Sequence, residues 1–177
     1  MTWSPDSKHF ASIGQDNRLY FFNIFESQPI CQIETPATGL VWDPFGLFLA
    51  TQSSEDKSLK IWRVSNLKNV TLVKEIKQYY ENNRTGMIRK PHWSPDGLYI
   101  SGVCANIGKK NFCPLINRNS LEHEAFLMGE VSPIMVSRWN PYIFSDGIDP
   151  QSGRPKSYSV CAIGGASSNL SIWSPKS

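Results

Sequence analysis

The chain has 177 residues and a formal charge of +3, from 18 Lys and Arg against 15 Asp and Glu. Hydrophobic residues make up 40% and charged residues 19%, which excludes wholesale disorder and leaves enough apolar material for a buried core. So small a basic excess does not by itself make a phosphate-reading surface, which needs its cations concentrated on one face. The pairs Arg89–Lys90 and Lys109–Lys110 are expected to be solvated loop charges.

Self-similarity organises the chain. Trp3-Ser4-Pro5, Trp42-Asp43-Pro44, Trp93-Ser94-Pro95 and Trp139-Asn140-Pro141 repeat at spacings of 39, 51 and 46 residues. A second anchor follows in fixed order in repeats one, two and four. Asp16-Asn17-Arg18-Leu19-Tyr20-Phe21-Phe22 matches Asp56-Lys57-Ser58-Leu59-Lys60-Ile61-Trp62, and Ser167-Ser168-Asn169-Leu170-Ser171-Ile172-Trp173 has the same form. A period of about 40–50 residues is that of one four-stranded propeller blade. The expected fold is all-β, a WD40-type β-propeller with about four consecutive blades of a seven-bladed ring.

In chain order, repeat one (1–36) predicts strands near Phe10–Ile13, Leu19–Ile24 and Pro29–Ile33. Repeat two (37–77) predicts Gly39–Trp42, Leu47–Gln52, Leu59–Val64 and Val70–Ile76. Repeat three (88–130) predicts Ile88–Trp93, Leu98–Cys104, Phe112–Asn117 and Glu124–Met128. Repeat four (131–177) predicts Ile134–Trp139, Ser159–Ile163 and Leu170–Trp173. In Trp93-Ser-Pro-Asp-Gly97, Pro95 presets φ for a type I turn, with Ser94 capping it and Asp96 and Gly97 completing it. Asp56 is expected to accept backbone N–H bonds in its own turn. Trp42, Trp62, Trp93 and Trp173 recur with the blade and are expected to pack in the core.

Two insertions interrupt the pattern: 77–87 before repeat three, and the polar loop 145–157 inside repeat four. A long polar loop is either mobile or a partner contact. The first strand of repeat one and the last of repeat four are expected to be missing, so the sequence reads as part of a longer propeller; an open stack would expose strand edges.

The opening Met-Thr-Trp-Ser-Pro-Asp has neither the basic nor the apolar segment of a signal peptide, and no apolar run is long enough to span a bilayer. The triplets headed by Asn69, Asn83 and Asn169 are therefore not expected to be glycosylated. Cys31, Cys104, Cys113 and Cys161 form no C-x-x-C pair and do not cluster with His9, His92 or His123. Cys104 and Cys161, in apolar runs, are expected to be reduced and buried, which points to a reducing compartment. No phosphate loop, nucleophile elbow or H-E-x-x-H segment occurs. Asp6, Asp16, Asp43, Asp56 and Asp96 all sit at turn positions. No catalytic, cofactor-binding or metal-ligating residue is assigned, no cofactor is expected, and no partner-binding residue can be singled out.

Gly39-Leu-Val-Trp-Asp-Pro-Phe-Gly46, Leu49-Ala-Thr-Gln52 and Asp56-Lys-Ser-Leu-Lys-Ile-Trp-Arg63 together resemble a blade of the HIRA family of histone chaperones. The likeness extends through Arg89-Lys-Pro-His-Trp-Ser-Pro-Asp-Gly97, Ser137-Arg-Trp-Asn-Pro-Tyr-Ile-Phe144, the inserted loop, Cys161-Ala-Ile-Gly-Gly165 and Leu170-Ser-Ile-Trp173. It covers nearly the whole chain in register. The resemblance implies a non-enzymatic nuclear scaffold in a complex that assembles chromatin independently of replication and represses histone genes. Its partners would be the other subunits, core histones indirectly and chromatin through the complex, with no membrane and no small-molecule substrate. The segment that recruits the anti-silencing chaperone lies after the propeller in that family and is not assigned to these residues. Alternatives are the middle subunit of the replication-coupled chromatin assembly factor and a generic WD-repeat adaptor. The chain departs from the WD pattern in lacking Gly-His ahead of Trp42, Trp93 and Trp139, in having Ser167 for the turn Asp, and in having Leu115-Ile-Asn-Arg118 for a Trp-ended strand. These departures predict blades held mostly by apolar packing.

Overall fold

The computed structural model describes residues 1–80, 89–150, 153 and 155–175. Every regular element described is a strand. Blade 1 contains β1 (Thr2–Trp3), β2 (His9–Ile13), β3 (Arg18–Asn23) and β4 (Cys31–Glu34); blade 2 contains β5 (Gly39–Trp42), β6 (Phe48–Gln52), β7 (Leu59–Asn66) and β8 (Asn69–Ile76). Blade 3 contains β9 (His92–Trp93), β10 (Tyr99–Ser101), β11 (Ala105–Ile107), β12 (Lys110–Asn117) and β13 (His123–Met128). Blade 4 contains β14 (Ile134–Trp139), β17 (Cys161–Gly165) and β18 (Leu170–Trp173), and a separate hairpin joins β15 (Phe144–Ile148) to β16 (Pro155–Tyr158). Neighbouring strands pair antiparallel throughout, and the inner strands β1, β5, β9 and β14 lie beside one another in sequence. This is the expected four-blade propeller arrangement.

The predicted strands fall on observed ones, with five differences, the first being the unexpected short strand β11 (Ala105–Ile107), which pairs with the start of β12. Blade 1 does have an inner strand, because Thr2 and Trp3 pair with Ala11 and Phe10. The predicted strand over Leu98–Cys104 ends at Ser101. There Gly102 N–H turns to the Pro114 carbonyl, Val103 N–H to the Gln52 side chain, and Cys104, at φ 57°, to the Ile134 carbonyl. The segment before His92 in repeat three carries no strand at Arg89–Pro91, and residues 81–88, including Ile88, lie outside the described residues. The polar insertion 145–157 contributes to a hairpin, with Phe144 stacked on Tyr158 at 5.5 Å.

The core lies between blades, not within any one of them. Ala11, Leu19 and Phe21 of blade 1 meet Trp42, Leu49, Trp62 and Val64 of blade 2. Phe48, Ala50, Leu59 and Ile61 meet Trp93, Ile100, Phe112 and Ile116 of blade 3, with Tyr79 and Tyr80 filling in from the interblade link. Cys113, Leu115 and Leu127 meet Ile134, Trp139, Cys161 and Ile163 of blade 4. Strand alternation explains this, since blades 2 and 3 are packed on both faces and their alternate residues serve opposite seams. At the inner edge, Gly39 is required: a Cβ there would lie 1.7 Å from the Arg89 carbonyl oxygen.

Candidate functional site

The four W-x-P turns join the inner strand of each blade to the next strand. Their geometry follows from the sequence. Gly97 N–H donates to the Ser94 carbonyl at 2.9 Å, Leu98 N–H to the Asp96 carboxylate at 3.0 Å, and Gly97 takes φ +69°. The Ser94 hydroxyl donates to the Asp96 carboxylate, and Ser4 and Asp6 repeat that pair in blade 1. In blade 2, Asp43 fills the Ser position and accepts from Phe48 N–H at 2.8 Å. Each carboxylate singled out in the sequence thus lies in a turn. Asp16 accepts from Tyr20 at 2.6 Å, and Asp56 accepts from the Ser58 hydroxyl at 2.6 Å and from the Lys60 ammonium. Asp56 is thus held by its Ser58 and Lys60 side-chain partners.

These turns meet across the seams through polar contacts that local sequence patterns do not show. Between blades 2 and 3, Arg118 donates to Asp43, which is fully buried, at 2.5 Å. Its guanidinium also lies over Phe45, Phe48 and Trp93, 4.9–5.4 Å from the ring centroids. Gln52 reaches across the same seam and bonds both backbone groups of Val103, at 2.5 and 3.2 Å. Arg89 is buried and donates to the Ser53 carbonyl at 3.2 Å, so it is not a solvated loop charge. Lys90, Lys109 and Lys110 are exposed as expected.

Between blades 3 and 4, Ser159 donates to Asp96 at 2.5 Å. Ser101 is the hub of that seam: its oxygen accepts the Trp139 indole N–H at 3.0 Å, and its hydroxyl lies 3.0 Å from the His92 carbonyl and 2.9 Å from the Ser137 hydroxyl. His92 is held neutral, its pKa lowered to about 4 by burial and by the neighbouring Arg138 charge. Within blade 2, Trp62 donates to Thr51 at 2.9 Å. The expectation of mainly apolar blade packing is therefore corrected, because polar side chains cross all three seams, the first through the Lys60 ammonium donating to the Thr35 hydroxyl at 3.1 Å.

The W-x-P turn face carries exposed apolar residues, among them Phe45, Leu47, Tyr142 and Ile143. The hairpin from the insertion stands beside the last turn and exposes Ile148. Trp42, Trp62, Trp93 and Trp139 are buried, Trp173 is half-buried, and Trp3 is exposed. The four cysteines are free thiols; burial raises Cys161 to about 12 and pushes Cys113 well above the usual thiol range. Among the described residues no group of His, Cys, Asp and Glu is arranged to hold a metal ion, and no helix is long and apolar enough to cross a membrane.

The repeats and the seam geometry define a WD-repeat β-propeller, and the family model "WD domain, G-beta repeat" matches residues 28–63. That match runs from the outer strand of blade 1 through three strands of blade 2, so the sequence unit straddles a seam. The β-propeller domain of Cps50 (Swd1) from Myceliophteria thermophila has the same fold, with a TM-score of 0.70 at 14% identity over 98% of this chain and 52% of that one.

Protein hir1 of Schizosaccharomyces pombe is 32% identical over 98% of this chain, and Protein HIR1 of Cryptococcus neoformans var. neoformans is 29% identical over 98%. With the WD repeat, these relatives support a HIR-family WD-repeat protein. The chain spans about a fifth of their length, 18% and 20% respectively.

Proposed function

We propose that this chain is a non-enzymatic scaffold subunit of a nuclear histone chaperone complex that assembles chromatin independently of replication and represses histone genes. The observation that carries the reading is likeness to HIR1 proteins over 98% of the chain. A propeller suits this role because rigid blades present their turns as docking surface, while loops carry recognition. The other subunits of the complex would be its direct partners and core histones indirect ones. No small-molecule substrate, cofactor or membrane enters the proposal.

We also assign the repeats to residues 1–36, 37–77, 88–130 and 131–177, and propose a seven-bladed ring. Apolar residues on the outward faces of the end blades support further blades: Trp3 on blade 1, and Val136, Leu170 and Ile172 on blade 4. Affinity purification of the tagged natural protein from its own cells, with mass spectrometry of stable partners, tests the functional reading. Recovery of the histone chaperone's subunits is expected. Recovery of the replication-coupled assembly factor, or of a ubiquitin-ligase adaptor set alone, refutes it.

A further inference from the structure

The three seams share one framework, and one of them has an empty place in it. Equivalent positions follow from the register. Val64 N–H donates to the Leu47 carbonyl at 2.9 Å, and Arg118 N–H donates to the Leu98 carbonyl at 2.8 Å, each acceptor five residues after its blade's turn tryptophan. Val64 of blade 2 therefore stands where Arg118 stands in blade 3. The residues that enclose Arg118, namely Asp43, Phe45, Phe48 and Trp93, correspond in order to Ser4, Asp6, His9 and Trp42.

Those four residues and Val64 all line one solvent-open cavity of about 1000 Å³ between blades 1 and 2. Across seam 2–3 the corresponding space holds a guanidinium. Here the short Val64 side chain leaves it open. The counter-charge is kept but moved, from the Asp43 position to Asp6. Ser4 and the Lys8 N–H hold the Asp6 carboxylate ionised, with a pKa lowered to about 2. His9 also lines the cavity, its Nδ1 3.0 Å from the second oxygen of the Asp6 carboxylate. The indole of Trp42, 6% exposed, forms the inner wall, and its N–H has no partner among the described residues. Pro5, Ile30, Phe45 and Leu67 make the surroundings apolar, while Lys68 lies at the margin.

We propose that this notch binds an arginine side chain of a partner polypeptide, its guanidinium against the Asp6 carboxylate and flat against His9 and Trp42. The chain itself demonstrates the recognition at the next seam, where Arg118 uses one carboxylate and three aromatic faces. The cavity is larger than one side chain, so it admits the residues flanking the arginine. The inference is independent of the chromatin reading, because it rests only on seam geometry.

The test is NMR titration of the 177-residue chain with N-acetyl-arginine methylamide, observing the Trp42 indole and the His9 ring. The citrulline analogue, neutral and nearly isosteric, is the control. Saturable shifts at those two rings are expected with the arginine probe, and binding should weaken about tenfold or more in Asp6→Asn. Val64→Arg supplies the missing side chain from within and should abolish binding while Asp6 is retained. If Val64→Arg does not fold, Asp6→Asn, a change at a half-exposed side chain, decides the matter. Equal shifts with citrulline, no response at Trp42 and His9, or undiminished binding in Asp6→Asn would overturn the proposal.

Discussion

Replacing Ser101 with Ala isolates one polar contact at the seam between blades 3 and 4. Ser101 is fully buried and its oxygen is the acceptor for the Trp139 indole N–H. The substitution removes three heavy-atom contacts, to Trp139, Ser137 and the His92 carbonyl, but leaves almost no cavity. What remains is a buried indole N–H without an acceptor, which costs about 1–3 kcal/mol. For a chain of this size that is a fall of about 2–12 °C in melting temperature.

A double-mutant cycle with Trp139→Phe separates the bond from the packing. If the indole bond matters, Ser101→Ala costs less in the Trp139→Phe background, with a coupling of about 0.5–1.5 kcal/mol. Urea unfolding of the four proteins measures it. The register provides the converse experiment. Ala11 and Ala50 stand where Ser101 stands, and the indoles of Trp42 and Trp93 opposite them have no hydrogen-bond partner among the described residues. Ala50→Ser should therefore give Trp93 an acceptor and stabilise the seam. A Ser101→Ala protein that melts like the parent, with no coupling to Trp139, would refute the reasoning.

Three further perturbations address the fold. Trp62→Ala should destabilise blade 2 by about 3–5 kcal/mol, since it empties a core site and strands the Thr51 hydroxyl; an unchanged thermal transition would count against the blade assignment. Arg118→Ala leaves the fully buried Asp43 without its cation and should cost about 3–5 kcal/mol by denaturant unfolding, whereas the double change with Asp43→Asn should recover part of the loss. Acid should act in two windows. With a folded pKa of about 4 against 6.5 when exposed, His92 takes up a proton on unfolding, so stability falls as pH drops from 6.5 toward 4; His92→Gln should flatten that limb of a pH–melting profile. Asp6, depressed to about 2 from 3.8, gives stability present above about pH 4 and lost below it, and Asp6→Asn should remove only that part.

The blade pattern was legible because its carriers are local. Trp, Pro and Gly within five residues dictate a turn wherever they occur, and the inner strands Gly39–Trp42 and Ile134–Trp139 fall where the pattern puts them. The polar contacts between blades were not legible, because they join residues far apart. Asp43 and Arg118 are separated by 75 positions, and nothing near Arg118 distinguishes it from a surface cation. Strand breaks obey the same limit. Leu98–Cys104 reads as one apolar strand, yet Gln52, 51 positions away from Val103, takes the backbone groups that would have extended it. The hairpin in 145–157 was hidden because its stabilising pair, Phe144 and Tyr158, flanks the polar stretch and lies outside it.

Polar links determine how well each seam is specified. Apolar packing alone tolerates small slips of one sheet over the next, because dispersion has no direction. Asp43–Arg118 and Gln52–Val103 fix blade 3 on blade 2, and Ser159–Asp96 and Trp139–Ser101 fix blade 4 on blade 3. The seam between blades 1 and 2 has Val64, Ser4 and Ala11 at the corresponding places, so it gains neither the guanidinium clamp nor the indole bond. It keeps the open cavity and the ionised Asp6 instead. Filling that place, from within by Val64→Arg or from outside by a partner's arginine, should stiffen a junction whose polar link among the described residues is the Lys60–Thr35 bond in place of a guanidinium clamp. The same substitution that tests the binding notch should therefore also raise the melting temperature, and a folded Val64→Arg protein that melts no higher would show that seam 1–2 is already fixed by its packing and the Lys60–Thr35 bond.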